Sequence, residues 1–242
     1  MFVAAKGTAP LLAGVADKDG ADFIFFAVAL PVLVGCILLA FFGWSVGWLR
    51  EIFARQPISG RGWMWIAVVA VLAFNVLRFA TIDYNSAGLD IVATWLLAGL
   101  FVGFAEETLT RGFVINLLRR ARYREIVVAV TSAAVFAGLH ASNLLSGPSL
   151  FATAFQVLYT FAFGICMHLA YRLTGRLIVP ILLHASTDPS IFLLTEYPTA
   201  GPLAIIAGLG NIVVIFVGLL SLFFIRGRVE APASRAALQT QP

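Results

Sequence analysis

Glu106, Glu107 and Asp188 lie inside long apolar stretches of the sequence, as do Arg111 and all three histidines, His140, His168 and His184. A charge at the centre of a bilayer costs about 2.5–3.5 kcal/mol even on lenient insertion scales, so such groups face a bundle interior or a wet cavity and pair there. Carboxylates beside imidazoles are the materials of general acid–base hydrolysis. One carboxylate can activate water, while a ring orients that water or donates to an oxyanion. At about 100° per residue, Glu107 and Arg111 share a helix face and can form an i,i+4 ion pair, whereas Glu106 points about 100° away. The spacing predicts that Arg111 holds Glu107 and leaves Glu106 free to face a cavity. The structural alternative is a Glu-Glu-Arg network locking two helices together. Two carboxylates against one arginine leave a charge that architecture alone rarely requires.

Phe136 and His140 share a face one turn apart, as do His184 and Asp188. A lone membrane histidine is more often an interhelical hydrogen-bonding residue than a catalyst. A carboxylate at i+4, however, can fix the tautomer and orientation of an imidazole. Taken alone, His184–Asp188 suits a proton relay or an ion site equally well. His168 has no partner in sequence and reads as a packing histidine. Gly99 and Gly103 form a small-xxx-small pattern that lets a neighbouring helix approach closely. Glu and two His could supply three zinc ligands. The sequence has no HExxH, and its histidines fall in different spans, so no metal and no cofactor is expected.

The elements that carry these residues follow from composition. The chain has 242 residues, 61% of them apolar and only 12% charged, against about 25% charged in an average soluble domain. The expected fold class is all-α, a polytopic membrane helical bundle. Spans of about 20 apolar residues can be drawn near 23–48, 62–80, 89–118, 125–141, 150–171, 176–194 and 202–225. Taking alternate connections as one side collects Arg50, Arg55 and Arg61, then Arg119, Arg120, Arg122 and Arg124, then Arg172 and Arg176, then Arg226, Arg228 and Arg235. These are twelve of the sixteen basic residues. The positive-inside rule makes that side cytoplasmic, with the N-terminus outside and the C-terminus inside. Trp44, Trp48, Trp63 and Trp65 fall at the same boundary as an aromatic belt.

Residues 1–21 read as an extracytoplasmic lead-in, because Lys6, Asp17, Lys18 and Asp19 interrupt the apolar core a signal peptide needs. Residues 22–225 read as a single transmembrane domain, and 226–242 as a flexible cytoplasmic tail. Cys36 and Cys166 lie in apolar runs and read as small buried hydrophobes. The formal charge of +4 is not gathered into a basic stripe with interleaved aromatics, so nucleic acid is not an expected partner.

The succession Glu106-Glu107-xxx-Arg111, Phe136-xxx-His140 and His184-xxx-Asp188, on three separate spans, resembles the CAAX-protease and bacteriocin-processing (CPBP) family, also called the abortive-infection family. Its pattern is EExxxR, FxxxH and HxxxN or a close variant. The similarity covers about residues 89–194, including the stretch from Tyr171 to Gly175 that leads to Pro180. The resemblance implies an intramembrane endopeptidase of the glutamate-dependent kind. In that reading Glu106 is the general base, His140 helps to hold the water, and His184 with Asp188 faces the oxyanion. Glu107 and Arg111 position the site. Better-known members have eight membrane helices, so the seven spans here imply a shorter member or a partial element near Leu11 to Val15. Asp188 departs from the usual Asn. An ionised Asp would repel an oxyanion unless it is protonated or binds His184 and favours its donor form.

The expected substrate is a membrane-associated or lipid-modified polypeptide, with the bilayer as the other partner, and the expected location is a bacterial-type cytoplasmic membrane. A catalytically silent scaffold or immunity protein, a zinc-dependent membrane protease and a proton-coupled transporter are the alternatives. The transporter reading draws on Pro180 and the Gly208-Leu-Gly210 segment as helix breaks, but no matching pair occurs in two halves of the chain.

Overall fold

The computed structural model describes residues 20–229 together with Leu12, Val15 and Asp17. Those isolated residues aside, the lead-in element expected near 11–15 lies outside the described residues, as does the tail from 230 onward. Seven helices among the described residues are long and apolar enough to cross a membrane: α1 (Ala21–Ser45), α2 (Gly62–Phe79), α3 (Leu89–Arg120), α4 (Glu125–Leu144), α5 (Leu150–Thr174), α6 (Ile178–Glu196) and α7 (Pro202–Phe224). They fall within a few residues of the spans that hydropathy predicts. The chain is an all-α, multi-pass integral membrane protein.

The helices alternate in direction. At one face of the bundle the Gln56 amide donates to Gly175 O at 2.9 Å and the Glu125 amide to Gly227 O at 2.9 Å. These bonds tie together the chain leaving α1, α5 and α7. At the other face the Asp83 amide donates to Tyr197 O at 2.8 Å and the Thr199 amide to Thr81 O at 2.9 Å, joining the α2 and α6 ends. The arginine-rich connections all belong to the first face. Local signals set the helix limits. The Ser149 hydroxyl caps α5 by accepting the Ala152 amide at 3.2 Å, and Gly175 stops α5 with φ +68°, the left-handed conformation that glycine adopts without a Cβ clash.

Small residues control how the helices pack. A Cβ on Gly99 would lie 2.5 Å from Ala185 O and closer still to the Pro189 ring, and one on Gly103 would lie 2.6 Å from Ile181 O. α3 and α6 therefore meet backbone to backbone, as the small-xxx-small spacing predicts. Pro189 has no amide with which to satisfy the Ala185 carbonyl one turn back, and it fills the space over Gly99. The main core lies among α2, α4, α5 and α7, where Phe136, Phe163, Met167 and Leu169 are almost fully buried. Phe41, Leu38 and Ile205 are exposed, as lipid-facing side chains must be.

Departures from regular α-helix within the spans include a π-helical stretch at Phe25–Ala29 in α1 and two breaks in later helices. α7 breaks at Leu209, between Pro202–Gly208 and Gly210–Ser221, where the Gly208-Leu-Gly210 sequence allows it. The second break is in α3, where Thr108–Val114 is π-helical and begins directly after Glu107. Such a wide turn loosens the i→i−4 ladder and frees carbonyls for other partners. Here Thr110 O accepts a hydrogen bond from the Ser132 hydroxyl of α4 at 2.9 Å.

Candidate active site

Two carboxylates that are neighbours in sequence have different surroundings. Glu107 is wholly buried and Glu106 is not, its side chain being 26% exposed. Arg111 Nη1 donates to Glu107 Oε1 at 3.2 Å, while Nη2 donates to Gly164 O on α5 at 2.9 Å. The same guanidinium donates to the Thr110 hydroxyl, which in turn donates to Glu106 O. It also lies 4.7 Å over the centre of the Phe136 ring, a favourable cation–π position. Arg111 thus joins α3, α4 and α5, and Glu107 takes up its charge. The i,i+4 contact survives the π-helical turn that begins between its two partners.

His184 sits at the centre. Its Nδ1 is 2.9 Å from Glu107 Oε1, so that nitrogen carries the proton and donates to the carboxylate. Its Nε2 faces Glu106 Oε2 at 3.8 Å and Asp188 Oδ2 at 3.7 Å. The sequence assigns the orienting contact to Asp188 by its i+4 spacing; in the structure the short contact comes from Glu107 across the helix interface. The reason is the close approach at Gly103, which brings α3 near enough for Nδ1 to reach a carboxylate, while the i+4 partner stays beyond hydrogen-bond distance. The Phe136 and Phe163 rings meet the imidazole edge-on, with centroids 5.6 and 5.0 Å away. His184 is held from three directions, and Nε2 is left facing Glu106 and Asp188.

His140 lies at the far end of α4. Its Nδ1 is 3.0 Å from Phe136 O and donates to that carbonyl, leaving Nε2 outward. The ring lies 4.9 Å from Phe136. The structure therefore gathers Glu106, Glu107, Arg111, His140, His184 and Asp188 around Phe136. Glu106 Oε2 has no hydrogen-bond partner among the described residues, so an acceptor is available beside the free imidazole nitrogen. Among the described residues no three His, Cys, Asp or Glu side chains are arranged to hold a metal ion.

A polar brace on the back of α6 escapes sequence reading. The Asn75 amide donates to the hydroxyls of Thr187 at 2.8 Å and Ser186 at 2.9 Å, directly before Asp188. Arg78 donates to Asn75 Oδ1 at 3.3 Å and to Asn211 Oδ1 at 2.8 Å. The available signal was Asn75 and Arg78 one turn apart in an apolar span, the polar stripe of a helix that must face protein.

Residues 88–189, from the start of α3 to the proline in α6, match the family model described as type II CAAX prenyl endopeptidase Rce1-like. The matched segment contains all six residues of the cluster. The match is to the same CAAX-protease family that the three sequence motifs resemble. No curated protein and no solved structure matches the chain. At the level of the family, this match supports a CAAX-type intramembrane protease, a hydrolase of peptide bonds.

His168 belongs to a second buried cluster, outside the one that the CPBP motifs describe. Arg119 donates to both oxygens of Glu125, at 2.8 and 2.9 Å, and to Gln56 Oε1 at 2.8 Å. His168 Nε2 is 3.4 Å from Glu125 Oε2, at ion-pair distance without hydrogen-bond geometry. The histidine is buried in packing, as expected, but next to a carboxylate from another helix that its own sequence neighbourhood does not reveal.

Proposed function

We propose that the chain hydrolyses a peptide bond of a membrane-associated or lipid-modified polypeptide by glutamate-activated water, with no metal taking part. Glu106 removes a proton from water, and the resulting hydroxide attacks the scissile carbonyl carbon. The carbonyl π-electrons move to oxygen, and doubly protonated His184 donates from Nε2 to that oxyanion. Collapse of the tetrahedral intermediate breaks the C–N bond, and the proton held by Glu106 passes to the departing amine. His140 orients the water. Glu107 and Arg111 fix His184, and Asp188 stands beside its donor nitrogen.

The observation that supports this reading is the asymmetry of the pair: Glu107 is wholly buried with its Oε1 held by both Arg111 and His184, while Glu106 stays partly exposed and sets an unpartnered oxygen 3.8 Å from Nε2. The arginine-rich face supports an orientation with that face cytoplasmic. The test is cleavage of a quenched fluorescent peptide library by the purified chain in chelator-containing buffer. The expected result is cleavage that survives the chelator and is lost in Glu106→Gln and His140→Ala. Loss on chelation would move the mechanism to a metal, and folded but inactive wild type would favour a silent scaffold.

A further inference from the structure

At the arginine-rich face, away from the catalytic cluster, a cavity of about 350 Å³ opens between the short helix Leu49–Phe53 and the end of α3. Arg55, Arg119, Arg120 and Arg122 line it, with Asn116 and Tyr171. The one carboxylate in the lining is Glu51, which pairs with Arg120. Arg119 is neutralised by Glu125. Arg55 and Arg122 form no ion pair among the described residues, so the cavity keeps an excess of guanidinium charge. The Asn116 amide nitrogen is buried and has no hydrogen-bond partner among the described residues.

Arg122 carries a second signal. It has φ +59°, where every other described residue with positive φ is a glycine. The hydrogen bonds explain the conformation: the Arg122 amide donates to Arg119 O at 2.9 Å and the Tyr123 amide to Leu118 O at 3.1 Å. This is the Schellman end of a helix, whose left-handed position strongly favours glycine. An arginine there strains the backbone and sets a guanidinium at the cavity wall.

We propose that this cavity binds the phosphate-bearing headgroup of an anionic membrane lipid. Guanidinium forks match phosphate oxygens with paired hydrogen bonds, and basic pockets between membrane helices suit such headgroups. The surroundings favour a lipid over a soluble phosphate. Phe53 and Leu117, immediate neighbours of lining residues, are exposed, and Trp48 stacks under the Arg120 guanidinium at 4.6 Å. A headgroup held here would leave its acyl chains alongside exposed apolar surface at the membrane boundary.

The test is calorimetric titration of the purified full chain, in neutral-detergent micelles, with dihexanoyl phosphatidylglycerol, dihexanoyl phosphatidylcholine or inorganic phosphate. Phosphatidylglycerol is expected to saturate one site, phosphatidylcholine to bind at least about tenfold more weakly, and phosphate to compete only at far higher concentration. Arg55→Ala and Arg122→Gly are each expected to weaken phosphatidylglycerol binding about tenfold, the loss of one charge-assisted hydrogen bond. Arg122→Gly relieves the left-handed strain, so its thermal midpoint should hold or rise, which separates lost binding from lost folding. Glu106→Gln should bind as wild type does. Equal affinity for phosphatidylcholine, equal competition by free phosphate, or unchanged affinity in both arginine variants would overturn the proposal.

Discussion

α3 carries two buried ionic clusters, one near its middle and one at its arginine-rich end, and they are built on opposite principles. At the end, Arg119 meets Glu125 through two short parallel hydrogen bonds and uses a third donor on Gln56, with both charged side chains almost wholly buried. In the middle, Glu107 is enclosed, but Glu106 and Asp188 are 26% and 31% exposed and stand 3.7–3.8 Å from the same imidazole nitrogen. The first cluster satisfies its charges and closes. The second places more carboxylates than cations around one histidine and leaves two acceptors, Glu106 Oε2 and Glu107 Oε2, unpartnered among the described residues. A saturated bidentate pair has little left to offer a substrate, whereas an incompletely satisfied group beside a fixed donor can do work on one.

The most forceful way to break the contrast is to neutralise one carboxylate in each cluster. Glu106→Gln is expected to reduce kcat/KM for peptide cleavage by about 10²–10⁴-fold, the range for loss of a general base, with an unchanged thermal midpoint. A comparable loss of stability instead would show the central cluster to be architectural. Glu125→Leu is expected to behave in the opposite sense. Removing one partner strands the Arg119 charge and destabilises the fold by about 3–5 kcal/mol, measured as a lowered thermal midpoint in detergent, while folded molecules still cleave. The double variant Glu125→Leu with Arg119→Met should recover part of that loss, because no lone charge remains.

Gly103→Ala sharpens the comparison by acting on only one cluster. The added methyl would collide with the Ile181 and Ala185 backbones, at a cost of about 1–3 kcal/mol. It should separate Glu107 from His184 and lower cleavage without disturbing Arg119–Glu125. Proteolysis at wild-type level in this variant would deny the Glu107–His184 contact a positioning role. The smallest effect belongs to Asp83, outside the spans, which caps the short helix Tyr84–Ala87 by accepting the Asn85 and Ser86 amides and the Ser86 hydroxyl. The hydroxyl bond, followed by the amide bonds, holds its carboxyl below the ordinary carboxylate value. The cap therefore contributes above the unfolded-state value and is lost as pH falls through the lowered one. Asp83→Asn should be slightly less stable than wild type at neutral pH, with a thermal-midpoint gap that narrows on acidification.

What could be read from sequence followed from how rare a charge is in an apolar helix. Glu106, Glu107, Arg111, His140, His184 and Asp188 stand out because membrane spans exclude such residues without cause, and the i,i+4 rule pairs Glu107 with Arg111 correctly. The seven spans follow from hydropathy alone. The Glu107–His184 contact was beyond reach because it crosses between helices and depends on how closely Gly99 and Gly103 let them approach. Arg119 and Glu125 were misleading for a different reason: at the boundary of a span they look like residues that set topology and begin a helix, and only packing shows them buried against His168.

The π-helical stretch Thr108–Val114 begins after Glu107, carries Arg111 and ends before Arg119 on α3. A helix side chain's azimuth is set by every residue before it, so deleting a single residue from this stretch would wind it toward regular α-helix and turn everything beyond by about 100°. Glu107 could then keep His184, or Arg119 could keep Glu125, but the rigid rod could not satisfy both. The wide turn works as a phase adjuster that lets one helix serve the proposed reactive centre and a structural anchor at azimuths an unbroken α-helix of that length would not match.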